Sequence, residues 1–144
     1  MNNLYSQIII DHSRNPRNSG ALSCFDKQIT KHNRTCGDEL TLFLRFDKNP
    51  SASNNPYISG ISFDSNSCAI SQASASIMTE LVLSRTKDEA LTLLKTLQQF
   101  MDSPDRGFTL PDEIKALSEI RSIPQRVPCL NLCWSALGDL LAED

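Results

Sequence analysis

Long apolar runs are missing from this sequence. The longest extend over only a few residues, far short of the roughly 20 that a membrane-spanning helix needs. No block of Lys or Arg is present, and the formal net charge is −3, so the phosphate-neutralising surface of a nucleic-acid binder is not expected. The opening "MNNLYSQIIIDH" lacks a basic start followed by an apolar stretch, which argues against a secretory leader and predicts a cytoplasmic location. There is no CxxC pair, no internal repeat and no low-complexity tract. The chemistry must come from residues distant in sequence.

What remains is an ordinary globular composition. The chain has 144 residues, 40% hydrophobic and 22% charged, which suits one domain spanning 1–144 that buries a core without staples. Residues 4–14 place Leu4, Ile8 and His12 in a column beside Tyr5 and Ile9, predicting a short amphipathic helix ended by "NPRNSG". Tyr5 and Ile9 suit either core packing or a docking surface. Strands follow near 25–33, 39–47 and 57–64. In the second, Leu40, Leu42, Leu44 and Phe46 alternate with Glu39, Thr41, Phe43 and Arg45, the period of a half-buried strand. "KNPSASNNP" between the second and third strands reads as an exposed hairpin loop. Beyond Cys68 the period changes to that of helices. Ala69, Ala73, Ile77 and Leu81 form one stripe. Ala90, Leu93, Leu94, Leu97 and Met101 form another across 87–101. After the loop "DSPDRGFTLPDE", the segment "EIKALSEI" is a short helix. Leu130, Cys133, Trp134, Leu137, Leu140 and Leu141 line a last helix that begins at Cys129. Helix, three strands, then helices predicts an α+β domain: a small antiparallel sheet with helices on one face.

Five cysteines, Cys24, Cys36, Cys68, Cys129 and Cys133, stay reduced in a cytoplasmic protein, and an odd number suits no disulfide framework. Each is either a small buried apolar group or a ligand or nucleophile. Cys36 lies in the turn "TCGD" before the second strand. Cys68 lies between the third strand and a helix, with Asn66 and Ser67 as candidate N-caps. Cys129 follows Pro128 where the last helix starts. Side chains at element ends can converge, and a helix start favours thiolate at Cys68 and Cys129. With Asp38, the three thiols would make a Cys3Asp tetrahedral set for zinc, and iron in a sulfur cluster accepts similar ligands. Spacing alone leaves this open, because sequence-distant ligands leave no local signature. Cys133 sits on the apolar stripe and reads as core, whereas Cys24 has no evident partner. The two histidines, His12 and His32, are far in sequence from every candidate ligand. Catalytic zinc sites keep an open position with a base nearby, so a metallohydrolase is disfavoured. A structural protein with buried cysteines and no metal remains an alternative.

"YSQIIIDHSRNPRNSG", "TCGDEL", "SCAISQASASIMTE" and "RVPCLNLCWSAL" resemble, in order, segments of the iron–sulfur cluster assembly proteins of the IscU/NifU N-domain type. The resemblance covers essentially the whole chain and is closest to the SufU branch. "DSPDRGFTLPDEIKALSEI" lies where SufU proteins carry an insert. Pro128 stands where IscU proteins have a histidine ligand, and Arg126 falls three residues before the last family cysteine, as in SufU proteins. This resemblance implies a SufU/IscU-like fold and a zinc ion held by Cys36, Asp38, Cys68 and Cys129. It implies that Cys36 accepts sulfane sulfur from a SufS-like cysteine desulfurase, whose histidine takes the place of Cys36 on zinc. The sulfur then passes to downstream iron–sulfur assembly proteins, and Arg126 beside the site favours anionic sulfur. The same cysteines could instead build and transfer a [2Fe–2S] cluster as a scaffold. The chain departs from the family pattern at Arg34, usually Pro, and at Asn66 and Ser67, usually glycines.

Overall fold

A computed structural model describes residues 3–48, 56–103 and 110–142. Helix α1 (Asn3–Arg14) leads into strands β1 (Lys27–Asn33), β2 (Asp38–Lys48) and β3 (Pro56–Asn66). Helices α2 (Ala69–Val82), α3 (Lys87–Asp102), α4 (Asp112–Ser118) and α5 (Val127–Ala142) follow. Two short 3-10 turns, Glu119–Ser122 and Pro124–Arg126, join α4 to α5. The sheet is a meander in the order β1-β2-β3, antiparallel throughout. This is the α+β architecture that the element order predicts. The expected loop between β2 and β3 lies largely outside the described residues, as does the middle of the 102–113 segment. Among the described residues, no helix is long and apolar enough to cross a membrane.

Strand β2 carries the alternation into three dimensions. Leu40, Leu42 and Leu44 are fully buried in the core, while Glu39 on the other face is exposed. Phe43 also faces away from the helices yet is buried, because Phe25 packs edge-on against it with ring centroids 5.1 Å apart. An aromatic pair of this kind shields apolar area that alternation alone would leave in water. The outer edge of β3 is occupied at both ends. Gly20 N–H donates to Phe63 O and Phe63 N–H to Asn18 O; Ile58 N–H donates to Arg85 O and Ser84 N–H to Ile58 O. Asn18, Gly20 and Ser84 reach these positions with positive φ values of 57°, 110° and 71°.

Helix α2 lies at the centre, and its small side chains allow that. Ser71 and every residue from Ala73 to Thr79 are buried. Ser74 Oγ donates to Leu130 O at 2.8 Å and accepts from Trp134 Nε1 at 3.0 Å, so the hydroxyl is satisfied while α5 approaches closely. Helix α1 docks on α2 through Ile9 and His12, with Tyr5 and Ile8 partly buried against the core. Tyr5 and Ile9 are therefore core-facing, and Leu4, expected in the inward column, is instead exposed. His12 Nδ1 lies 2.7 Å from Ser76 Oγ, which also accepts from Arg17 N–H. On α3, a capping box between Thr86 and Glu89 fixes the start; Phe100 is buried, while Leu94 and Met101 of the expected stripe are partly buried. All six residues of the α5 stripe are buried. That helix starts at Val127, two residues before the expected Cys129, since Pro is tolerated in a first helical turn.

Candidate metal centre

The β1–β2 hairpin closes on the pair Asn33↔Asp38, with Arg34–Gly37 as the turn. Gly37 has φ +71°, a left-handed value that glycine adopts without steric cost. The chain doubles back over these four residues, and Cys36 and Asp38 both approach Cys129 on α5. Cys36 is half-buried, and Asp38 retains only 2% of its exposure. From the other side, the first turn of α5 presents Cys129, which is fully buried.

These elements meet. Cys129 Sγ donates to Cys36 Sγ at 3.1 Å. Ligand atoms of Cys36, Asp38 and Cys129 all lie within 4.8 Å of one another, so the three could hold a metal ion. Cys68 Sγ borders this group, 3.9 Å from Asp38 Oδ2. Its backbone N–H donates to Asp38 Oδ1 at 2.9 Å. Cys68 is itself the N-cap of α2 and makes no side-chain cap bond. The expected cap by Asn66 or Ser67 is replaced by a carboxylate reaching across from β2, because Asn66 still belongs to β3. Arg126, on the 3-10 turn before α5, points Nη1 at Cys36 Sγ from 4.0 Å.

The electrostatics correct one expectation. Burial raises the Cys129 thiol well above its ordinary pKa, and hydrogen bonds with Cys36, Asp38 and Cys68 push the same way. Desolvation thus outweighs any stabilisation of thiolate at the start of α5. The hydrogen bond with Cys129 and the nearby cysteine sulfurs raise the Arg126 guanidinium in turn. A buried Cys129 thiol crowded by other sulfur and carboxylate donors belongs to a ligand set suited to a cation, whose charge would release that thiol's proton. Three sulfurs and one oxygen fit zinc, or iron in a sulfur cluster.

The remaining candidates fall elsewhere. Cys133 is buried one turn along α5, with Sγ 3.4 Å from Ser74 Oγ, and burial pushes its thiol up to about 12. Cys24 is exposed. Neither histidine joins the group: His12 is committed to Ser76, and His32 is exposed on β1 beside Glu39, with Nδ1 3.8 Å from Oε2. One neighbour escaped the sequence reading. Asn33 Nδ2 reaches both Asp38 Oδ2 and Cys129 Sγ. Its only sequence signal was its place at the end of a strand, three residues before Cys36.

Residues 4–137 match the NifU-like N-terminal domain. The chain belongs to this family. Among its relatives, this NifU-like domain is 32% identical to "Iron-sulfur cluster assembly scaffold protein IscU" of Streptococcus pyogenes, across 98% of the chain and 84% of the relative. It is also 32% identical to "Zinc-dependent sulfurtransferase SufU" of Bacillus subtilis, across 100% of the chain and 93% of the relative. The fold of the NifU-like domain is similar to a crystal structure of an iron–sulfur cluster assembly scaffold protein for the SUF system from Fervidobacterium islandicum. That likeness has a TM-score of 0.78 at 31% identity and covers 96% of each chain.

Proposed function

We propose that this NifU-like domain serves iron–sulfur cluster assembly as a sulfur acceptor in the cytoplasm, taking persulfide sulfur from a cysteine desulfurase and passing it to downstream assembly proteins. The observation that carries this reading is the convergence of Cys36, Asp38 and Cys129, with Cys68 at the border. In this reading Cys36, Asp38, Cys68 and Cys129 would hold Zn2+. Bound there, zinc would keep the thiols deprotonated at neutral pH. The similarity to a relative named as a zinc-dependent sulfurtransferase supports this metal.

Cys36 is the acceptor. It stands on a hairpin turn and is less buried than Cys129, so a donor can approach it. Its thiolate attacks the outer sulfur of the donor's cysteine persulfide. The donor's S–S bond breaks as the new one forms, the donor leaves as thiolate, and Cys36 carries the persulfide with no net oxidation. The Arg126 guanidinium at 4.0 Å lies where it attracts anionic sulfur. Pro128, which offers no ligand atom, stands beside Cys129, consistent with the SufU branch.

A scaffold that builds and hands on a [2Fe–2S] cluster is the second reading. It uses the same donors and is supported by the relative named as a scaffold. Anaerobic purification with metal analysis separates the two. Stoichiometric zinc, no iron–sulfide charge-transfer absorption, and desulfurase stimulation lost in Cys36→Ser are the expected results. Native iron with sulfide, or full stimulation by Cys36→Ser, would overturn the acceptor reading.

A further inference from the structure

The inward positions of β1 form a ladder onto α5. Lys27, Ile29, Lys31 and Asn33 are the half-buried residues of an alternating strand. Lys27 Nζ donates to Leu140 O at 3.2 Å. Lys31 Nζ donates to Ser135 Oγ and Asp139 Oδ2, each at 2.7 Å. The last rung lands on the candidate metal centre. Asn33 Nδ2 lies 3.5 Å from Asp38 Oδ2 and 3.6 Å from Cys129 Sγ. An amide nitrogen carries two protons, one for each acceptor. The opposite flip would set the amide oxygen against a carboxylate oxygen, so the acceptors themselves orient the group.

From this contact we infer that Asn33 is a positioning residue of the centre, holding Asp38 and Cys129 as its fixed pair and leaving Cys36 outside that hold. The inference rests on the zinc reading above. Asp38 then has both oxygens directed: Oδ1 by the Cys68 N–H and Oδ2 by the Asn33 amide. Its plane is set by two elements, and a donor to a ligating sulfur or carboxylate fixes that ligand's orientation. Cys36 has the Cys129 thiol and the distant Arg126 guanidinium as its side-chain neighbours. Neither contact comes from Asn33 or from Asp38, so Cys36 lies outside that hold, which suits a thiol that must leave to accept sulfur.

The test is zinc affinity by competition with a chromophoric chelator, for the unmodified protein, Asn33→Ala and the near-isosteric Asn33→Asp, alongside melting of each metal-free form. Both variants should lose about 10- to 100-fold in affinity, with metal-free melting little changed in Asn33→Ala and lowered in Asn33→Asp, whose carboxylate faces that of Asp38. A variant that holds zinc as tightly as the unmodified protein overturns the inference. Should neither variant fold without metal, the Asn33 side-chain amide resonances of the unmodified protein decide. Their displacement on zinc loading supports the hold, and their constancy overturns it. Failure of the unmodified protein to bind zinc would defeat the zinc reading itself; tight binding unaffected by either variant would defeat only the role of Asn33.

Discussion

Cys129 and Cys133 lie one turn apart on α5, both fully buried and both with thiols raised by that burial. Their neighbours set them apart. Cys129 faces a second thiol, a carboxylate and an amide. Cys133 faces a serine hydroxyl already engaged with Leu130 O and the Trp134 indole. Burial alone makes a thiol inert, and converging donors make it a ligand. A single turn of helix moves a cysteine from one situation to the other.

The widest separation should appear in metal binding. Cys129→Ser is expected to lower zinc affinity by more than about 100-fold, beyond what removal of a mere neighbour costs. Cys133→Ala should leave that affinity unchanged and cost about 1–2 kcal/mol of stability. Chelator competition and urea unfolding on the two variants would show it, and equal zinc loss in both would erase the distinction. A smaller effect sharpens the comparison within the centre. Asp38→Ala should weaken zinc less than Cys68→Ser, because a carboxylate is the most exchangeable of the four donors. The same Asp38→Ala change should cost the metal-free protein about 1 kcal/mol, since the Cys68 N–H at the start of α2 loses its acceptor. The reverse order in the titration would count against these roles.

The smallest effect lies away from the centre. Burial, with Arg17 acting in the same direction, holds the His12 pKa below its ordinary value, and Glu80, Asp11 and Glu113 oppose this only in part. The unfolded chain therefore takes up a proton first as pH falls through about 6.5, and stability declines with it. Relative to His12→Gln, the unmodified protein should lose more stability between pH 7 and pH 5. Parallel pH profiles in urea unfolding would remove His12 from the account.

Much of the fold was legible because each element carries its own period. The alternation of β2 and the stripe of α5 need no partner to be read. Misreadings arose where a neighbour supplied what the segment lacked. Phe43 is buried by Phe25, and the start of α2 is capped by Asp38 from a strand 30 residues away. The candidate centre was visible as thiols at element ends together with a family resemblance. Asn33 was not, because a polar residue finishing a strand looks the same whether it meets water or a thiol. The upward pull of burial on the Cys129 thiol was likewise hidden: helix position can be read along the chain, but depth cannot.

The two loop segments lying along β3 have a consequence for how the molecule meets others of its kind. At Phe63 and Ile58 the hydrogen-bonding groups that an incoming strand would need are already taken by Asn18, Gly20, Ser84 and Arg85. Growth of the sheet by edge-to-edge pairing is closed off along that side. Backbone turns accomplish this along the strand, while Pro56 at its first position has no N–H to offer an incoming strand.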